Sequence, residues 1–342
     1  MVIDVINLLV HYTSSHIAIT SIHLNPSTAP SSKASYIATR SAPLMLAVLR
    51  PLARPLPLIG LSTTGILLAA TLTSASRPAA MSTSSRPWPV KQYHPRHSAW
   101  PYNPSDFTRQ DSSSDSGFYS TPRFVTHIDD AAIATLREYY DTVLPRKGKI
   151  LDFCSSWVSH YPPAIEQAAD AGDLKVTGLG MNKAELDANK VLNNGRVLVD
   201  LNDHPDIAAA LRNAEIVSSD DDNDKLDGST NVVSTDYLTQ PLNVLKSLRT
   251  VTKDGGTVHL TISNRCFPTK AVGRWLRVDE EERLLMIGDY LHFAGWRDIE
   301  IVELSNGKAD AGEAGAPGSL QGLMGWMGMN HRDPLWVVRA TK

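Results

Sequence analysis

The 342-residue sequence contains only two cysteines, Cys154 and Cys266, which excludes a disulfide framework and a cysteine-rich zinc site. Neither sign of charge dominates, with 33 Lys and Arg against 36 Asp and Glu, so no bulk positive charge marks it as a nucleic-acid binder. The G-x-S-x-G, P-loop and H-E-x-x-H patterns are absent as well. The enzyme classes recognised by those motifs are therefore not indicated, and no metal site is predicted.

Acidic residues are missing from most of the first third of the chain, where none lies between Asp4 and Asp106. Residues 1–105 carry eight basic residues and are rich in Ser, Thr, Ala and Pro, whereas the rest of the chain holds the other 35 acidic residues. This composition is typical of a transit segment. It predicts that 1–81 is a targeting or disordered segment and that the protein is mitochondrial or in another organelle. A translation start at Met81 would make it cytoplasmic.

One long apolar run occurs in this region. Residues 58–75 contain no charge and are long enough to cross a bilayer core of about 30 Å, although Ser and Thr are frequent in them. The run is thus either a membrane anchor or part of a presequence. Residues 82–122 are rich in Pro and Ser and predict a linker to a single domain at 123–342.

Beyond the predicted linker, short apolar runs alternate with segments of helical periodicity. Because alternating strands and helices form parallel sheets covered on both faces, the pattern predicts a doubly wound, mostly parallel seven-stranded α/β sheet. No helix separates the last two strands, which predicts an antiparallel C-terminal edge strand. The strands are expected at 150–153, 174–181, 195–202, 231–238, 257–264, 297–304 and 335–340. The helices are expected at 127–144, 164–172, 184–192, 206–214, 240–252 and 279–296.

Ligands of such sheets bind beyond the carboxyl ends of the strands, which directs attention to the turns there. The first four turns read DFCSSWVSH, GLGMN, DLN and STDYL, with small or polar residues in each. The G-x-G of the second turn lacks a third glycine and follows the second strand, so it is not a dinucleotide fingerprint. We therefore expect a site, but not one for a dinucleotide.

The order and spacing of residues 121–304, with the strand at 335–340, resemble class I S-adenosylmethionine-dependent methyltransferases of the type-11, ubiquinone/menaquinone-methyltransferase-like kind. The most specific stretch is LDGSTNVVSTDYLTQPLNVLKSLRTVTKDGGTVHLTIS at 226–263, and FAGWRDIEIVEL at 293–304 is also similar. Two departures concern the cofactor. Cys154, Ser156 and Val158 replace the three glycines of the family's first loop, and Gly180 stands where an acid usually binds the ribose. The SSWVSH loop is similar to a divergent branch of the superfamily.

The resemblance implies S-adenosylmethionine as cofactor and a small molecule as methyl acceptor, with site residues at matching positions. The implied cofactor-binding residues are Asp152, Ser155 and Ser156 for the methionine part, Gly180, Met181 and Asn182 for the ribose and adenine, Asp200, Leu201 and Asn202 for the adenine edge, and Thr235. The substrate-side candidates are Asp236, Tyr237, Asn264, Arg265 and His160.

Some of these assignments have alternatives. Cys154 reads as a small buried residue rather than a nucleophile, and Trp157 either covers the cofactor pocket or plugs the end of the sheet. Because the loop glycines and the ribose acid are replaced, the chain could also be a non-catalytic methyltransferase-like interaction module, membrane-tethered if 58–75 is an anchor.

Overall fold

The computed structural model describes residues 88–218, 221–307 and 332–342, so the predictions for 1–81 lie outside the described residues. The strands are β1 (Val90–Gln92), β2 (Gly148–Phe153), β3 (Leu174–Gly180), β4 (Arg196–Leu198), β5 (Leu226–Val232), β6 (Thr252–Ser263), β7 (Arg297–Ser305) and β8 (Leu335–Thr341). The helices are α1 (Asp115–Phe118), α2 (Asp130–Val143), α3 (Pro163–Asp170), α4 (Lys183–Ala188), α5 (Ile207–Asn213), α6 (Pro241–Thr250), α7 (Gly273–Arg277) and α8 (Glu280–Phe293).

All eight strands belong to one sheet with the order β1-β7-β8-β6-β5-β2-β3-β4. Strands β2 to β6 run parallel, while β8 is antiparallel to β6 and to β7. The chain enters the middle of the sheet at β2, moves outward to β4, and returns to the other side of β2 with β5. The switch of direction therefore lies between β2 and β5, which is where such sheets bind ligands.

Helices cover both faces of this sheet, as the alternating pattern predicts. Helices α2, α3 and α4 pack into one apolar cluster with Ile150 and Val176, and α5, α6 and α8 pack into a second with Leu151 and Leu260. Because helices cover both faces, the central strands bury side chains on both sides of the sheet. The doubly wound, mostly parallel, Rossmann-like α/β fold is thus confirmed.

Two details of the predicted sheet are wrong. The sheet has eight strands rather than seven, and the antiparallel C-terminal strand β8 lies inside it, between β6 and β7. The edge on that side is β1, which pairs antiparallel with β7, Val90 opposite Val302. All three residues of β1 are exposed, so no hydrophobic alternation in the sequence indicates a strand there.

The segment predicted as a linker, 82–122, is integral to the domain from residue 88 onward. The hydroxyls of Tyr93 and Tyr102, both buried, donate to the fully buried carboxylate of Asp289, Tyr93 at 2.5 Å. The Arg96 guanidinium donates to the same carboxylate at 2.7 Å and to Glu282 at 2.5 and 2.9 Å. The composition of this segment resembles a linker, but these polar contacts attach it together with Tyr93, Tyr102 and Trp100, which pack into the core.

A glycine of α8 makes room for this segment. A Cβ at Gly288 would stand 2.3 Å from the ring of Tyr93, closer than any real contact, so the helix and the segment fit only with glycine there. Within the described residues no helix is both long and apolar enough to span a membrane, and the candidate anchor at 58–75 lies outside them.

We expect Arg96→Met to destabilise the domain by about 3 kcal/mol, because it leaves the buried Asp289 carboxylate without its cation. Urea unfolding of the full chain measures the loss. The matched control is Lys91→Met, which removes the exposed Lys91–Glu281 pair of the same segment and should cost less than about 1 kcal/mol. Equal, small losses in both variants would contradict the integral role of residues 88–122.

Candidate functional site

A cavity of about 380 Å³ lies at the carboxyl ends of strands β2 to β6. Its volume falls within the range of about 300–1,000 Å³ usual for small-molecule sites. Its wall is formed by the turns that follow these strands and by residues of the segment 115–128, which precedes α2. The pocket therefore lies at the switch point of the sheet.

Most residues that the sequence singles out meet in this wall, and three do not. The wall contains Asp152, Ser155, Ser156, His160, Gly180, Met181, Asn182, Asp200, Leu201, Asn202, Tyr237 and Arg265. Thr235, Asp236 and Asn264 lie outside it.

The carboxyl group of Asp152, at the end of β2, organises the first loop. It is buried and accepts hydrogen bonds from the hydroxyls of Ser155 and Ser159, both at 2.6 Å, and of Thr230 on β5 at 3.3 Å. Burial raises the pKa of Asp152 to about 6, although the three hydroxyl donors oppose the shift. The Asp152 side chain thus holds the first loop and is itself bonded to β5, across the switch point between β2 and β5.

The first loop passes very close to β3. The Ser155 N–H donates to Leu179 O at 2.8 Å, and a Cβ at Gly180 would stand 2.2 Å from Ser155 O. Gly180 therefore has a packing role, since it allows the backbones of the first loop and of β3 to approach. Cys154 adopts a φ of 54°, a conformation that residues other than glycine rarely take.

The glycine-free loop still has unpaired backbone donors beside the cavity. The N–H groups of Ser156 and Val158, two residues of the wall, have no hydrogen-bond partner in the part of the chain that the structure describes. The Asn189 amide holds the loop from the end of α4 by donating to Ser156 O at 3.0 Å and to the Ser159 hydroxyl at 2.9 Å. The loop is thus shaped by side-chain hydrogen bonds instead of glycines.

Trp157 does not fill the cavity. Its indole N–H donates to Val125 O at 3.0 Å and its ring meets Phe124 edge to face, so it packs beside the pocket. Cys154 lines the wall, and burial raises the pKa of its thiol to about 12. The thiol is protonated at neutral pH and is a packing group rather than a nucleophile.

Asn182, which follows β3, has a structural role. Its side-chain oxygen accepts from Glu185 N at 3.1 Å and so caps α4, while its amide donates to Tyr119 O at 2.9 Å. Glu185, which the sequence analysis missed, is 9% exposed and lines the cavity. Its Oε1 accepts from Arg123 N at 2.7 Å, and its Oε2 has no partner among the described residues. The N-x-x-E spacing of a capping box was the available signal.

At the end of β4, Asp200 and Asn202 have different environments. Asp200 accepts from Asn202 N at 2.9 Å through one oxygen, and burial raises its pKa. The Asn202 side chain donates to Asp115 at 2.8 Å and to Tyr237 O at 3.0 Å, and accepts from Thr239 N at 2.7 Å. Asn202 therefore joins three parts of the wall, and Asp200 keeps an oxygen for a ligand.

The positions of the three predicted site residues outside the wall can each be explained. The Thr235 hydroxyl is buried and donates to the Asn231 side chain at 2.9 Å, and Asn264 is exposed after β6. Asp236 is buried behind the wall, where its Oδ2 has no partner among the described residues. Burial raises the pKa of Asp236 to about 8, which favours the protonated form at neutral pH. None of the three is placed to touch a ligand.

The ends of β5 and β6 form the opposite end of the cavity from β4. Val233 lies here with a φ of 43°, a strained conformation for a β-branched residue. The Tyr237 hydroxyl accepts from Phe267 N at 2.8 Å, which leaves its own proton free to donate.

His160, in the loop after β2, is buried with Nδ1 unpartnered within residues 88–218, 221–307 and 332–342, and burial lowers its pKa to about 4. Its imidazole is therefore neutral.

The wall residues contributed by 115–128 were also missed. Asp115 is buried and pairs with Arg109 at 2.7 Å and with the fully buried Lys270 at 3.1 Å. The pair with Lys270 fastens the segment to the chain beyond β6. Nothing in the Ser- and Pro-rich sequence indicates that pair, because Lys270 is distant in the chain. Among the described residues no cluster of three metal-ligating side chains occurs.

No family model matches the chain, and no curated protein matches it. Several solved structures resemble it. A SAM-dependent methyltransferase from Archaeoglobus fulgidus is 13% identical over 62% of this chain and 94% of its own, with a TM-score of 0.38. The (4+2)-cyclase SpnF is 15% identical over 66% of this chain and 91% of its own, with a TM-score of 0.39. A phosphoethanolamine N-methyltransferase 2 from Haemonchus contortus, in complex with S-adenosylmethionine, is 12% identical over 61% and 52%, with a TM-score of 0.36.

Proposed function

We propose that the protein is an S-adenosylmethionine-dependent methyltransferase of the type-11-like kind that methylates a small molecule. One observation carries the proposal: the switch point opens into a cavity of about 380 Å³, and two of its lining residues in the loop after β2 have N–H groups without a partner among the described residues. Replacing the loop glycines has not closed the pocket. The sequence resemblance at 226–263 supports the same function.

The polar groups of the wall fit the parts of this cofactor in order along the sheet. The N–H groups of Ser156 and Val158 suit its carboxylate, as backbone donors do in anion-binding loops. Glu185 Oε2 suits the two ribose hydroxyls, because it is a carboxylate oxygen of a wall residue without a donor among the described residues. The free oxygen of Asp200 suits the adenine amino group, with Leu201 packing beside it.

Bound S-adenosylmethionine would supply an activated methyl group on a sulfonium. The residues of the chain then mainly hold the acceptor in line with that methyl group and exclude water. Tyr237 can donate a hydrogen bond at the β5 end. The neutral His160 can form a hydrogen bond with the methyl acceptor through its buried Nδ1. A strong base is needed only for an acceptor that must lose a proton.

Titration of the full chain with S-adenosylmethionine and S-adenosylhomocysteine in a calorimeter tests the proposal. We expect both to bind in one site, with affinities in the micromolar range or better. The absence of heat at millimolar ligand would contradict the proposal and favour the non-catalytic module instead.

We further expect Glu185→Gln to weaken binding of S-adenosylhomocysteine about tenfold, because the variant loses a charged acceptor for the ribose hydroxyls. Wild type should prefer S-adenosylhomocysteine over its 2′-deoxy analogue, and the variant should lose most of that preference. Calorimetric titrations of both ligands into both proteins measure the four affinities.

The control for that experiment is Asp187→Asn on the same helix, whose carboxylate is exposed, pairs with Lys183 and lies outside the cavity wall. It should bind both ligands as wild type does. An unchanged preference for the 2′-hydroxyl in Glu185→Gln would remove Glu185 from the ribose site.

A further inference from the structure

Charge is unevenly distributed along the cavity. Three of the four carboxylates of its wall follow β2, β3 and β4: Asp152, Glu185 and Asp200. The fourth, Asp115, bonds to Asn202 after β4 and is paired with Lys270 after β6. The turns after β5 and β6 themselves contribute no carboxylate to the wall. An acceptor at that end meets a different electrostatic environment from the cofactor.

Arg123 brings a positive charge to that end. Its guanidinium lies 4.4 Å from the ring centroid of Phe118 and 5.8 Å from that of Phe267, after β6. One terminal nitrogen donates to Phe118 O at 3.0 Å, and no carboxylate pairs with the guanidinium within the described ranges. An arginine stacked on aromatic rings and facing a cavity without a counter-ion is arranged to bind an anion.

The neighbouring groups are also donors. Arg265 lines the cavity and uses its Nε for Asp333 at 2.7 Å, which leaves its two terminal nitrogens without a described partner. The Tyr237 hydroxyl, which accepts from Phe267 N, has its proton available. Three side chains from three segments thus present hydrogen-bond donors around Phe267.

We propose that the methyl acceptor carries an anionic oxygen group, a carboxylate or a phosphate, which Arg123 binds with help from Arg265 at the β5–β6 end of the cavity. The inference rests on the proposed methyltransferase function and names the acceptor class. It also assigns Arg123, which lies at the boundary of the predicted linker, as a specificity-determining residue.

A cationic acceptor is the competing class, since aromatic rings bind cations through their faces. Arg123 already occupies the face of Phe118, so an ammonium group there would meet a like charge. Of the carboxylates in the wall, Glu185 is engaged through Oε1 by the Arg123 backbone N–H, and Asp115 is already paired with Arg109 and Lys270. The geometry thus favours an acid over an amine.

The experiment titrates the full chain, saturated with S-adenosylhomocysteine, with four probes of similar size: benzoate, phenyl phosphate, benzyl alcohol and benzylamine. We expect one or both anions to bind and the alcohol and amine to bind at least about tenfold more weakly. A preference between benzoate and phenyl phosphate identifies which anion the site takes.

Arg123→Met should reduce anion binding at least about tenfold, while Arg123→Lys should retain part of it. Both variants should keep the wild-type affinity for S-adenosylhomocysteine and the wild-type thermal midpoint. The matched control is Arg146→Met, a half-buried arginine paired with Asp141 outside the cavity wall, which should leave all affinities unchanged.

Three results would overturn the inference: no anion binding in wild type, equal binding of benzylamine, or full anion binding in Arg123→Met. A tenfold loss of S-adenosylhomocysteine affinity in Arg123→Met would also overturn it, because Arg123 would then hold the cofactor carboxylate. Failure of S-adenosylhomocysteine to bind wild type would instead contradict the proposed function, so the two failures are distinguishable.

Discussion

The buried carboxyl group of Asp152 is the interaction on which the site depends. Its oxygens receive hydroxyl donors from the first loop and from β5, so one side chain holds the two neighbouring strands of the switch point and shapes the loop between them. Glycines usually give such a loop its freedom to approach a ligand. Here the same approach comes from Gly180 on the adjacent strand, which lets Ser155 O come close, and from the left-handed conformation of Cys154. The serine donors that Asp152 requires, Ser155 and Ser159, therefore flank the replaced glycine positions 156 and 158.

The segment before α2 has two roles that its composition conceals. Between residues 88 and 110 it adds an edge strand and closes a buried polar network around Asp289. Between 115 and 128 it forms one wall of the cavity, fastened through Asp115 and Lys270. Because the same segment supplies Arg123, the stability of the fold and the charge at the acceptor end of the cavity depend on one continuous stretch of chain.

The sequence predicts what depends on local pattern. The apolar runs at 150–153 and 174–181 give β2 and β3, and the polar turns after the strands include most of the wall, whereas the strand predicted at 231–238 lies at Leu226–Val232 instead. The sequence does not predict what depends on pairing between distant residues. β1 has no apolar alternation, Glu185 reads as an ordinary first-turn acid, and the Asn182 amide is committed to Tyr119 O, which only the folded chain brings near. The position of the Arg123 guanidinium is likewise set by the rings of Phe118 and Phe267, and the sequence pattern does not indicate that these three residues meet.

The central claim is that a first loop without glycines, held by Asp152, still forms the cradle for the cofactor carboxylate. Residue-resolved amide hydrogen exchange of the full chain, with and without saturating S-adenosylhomocysteine, tests it most directly. The N–H groups of Ser156 and Val158 have no partner among the described residues, so we expect fast exchange in the free protein and strong protection in the complex. Exchange at these two amides that stays unchanged, while protection appears elsewhere in the wall, would contradict the account.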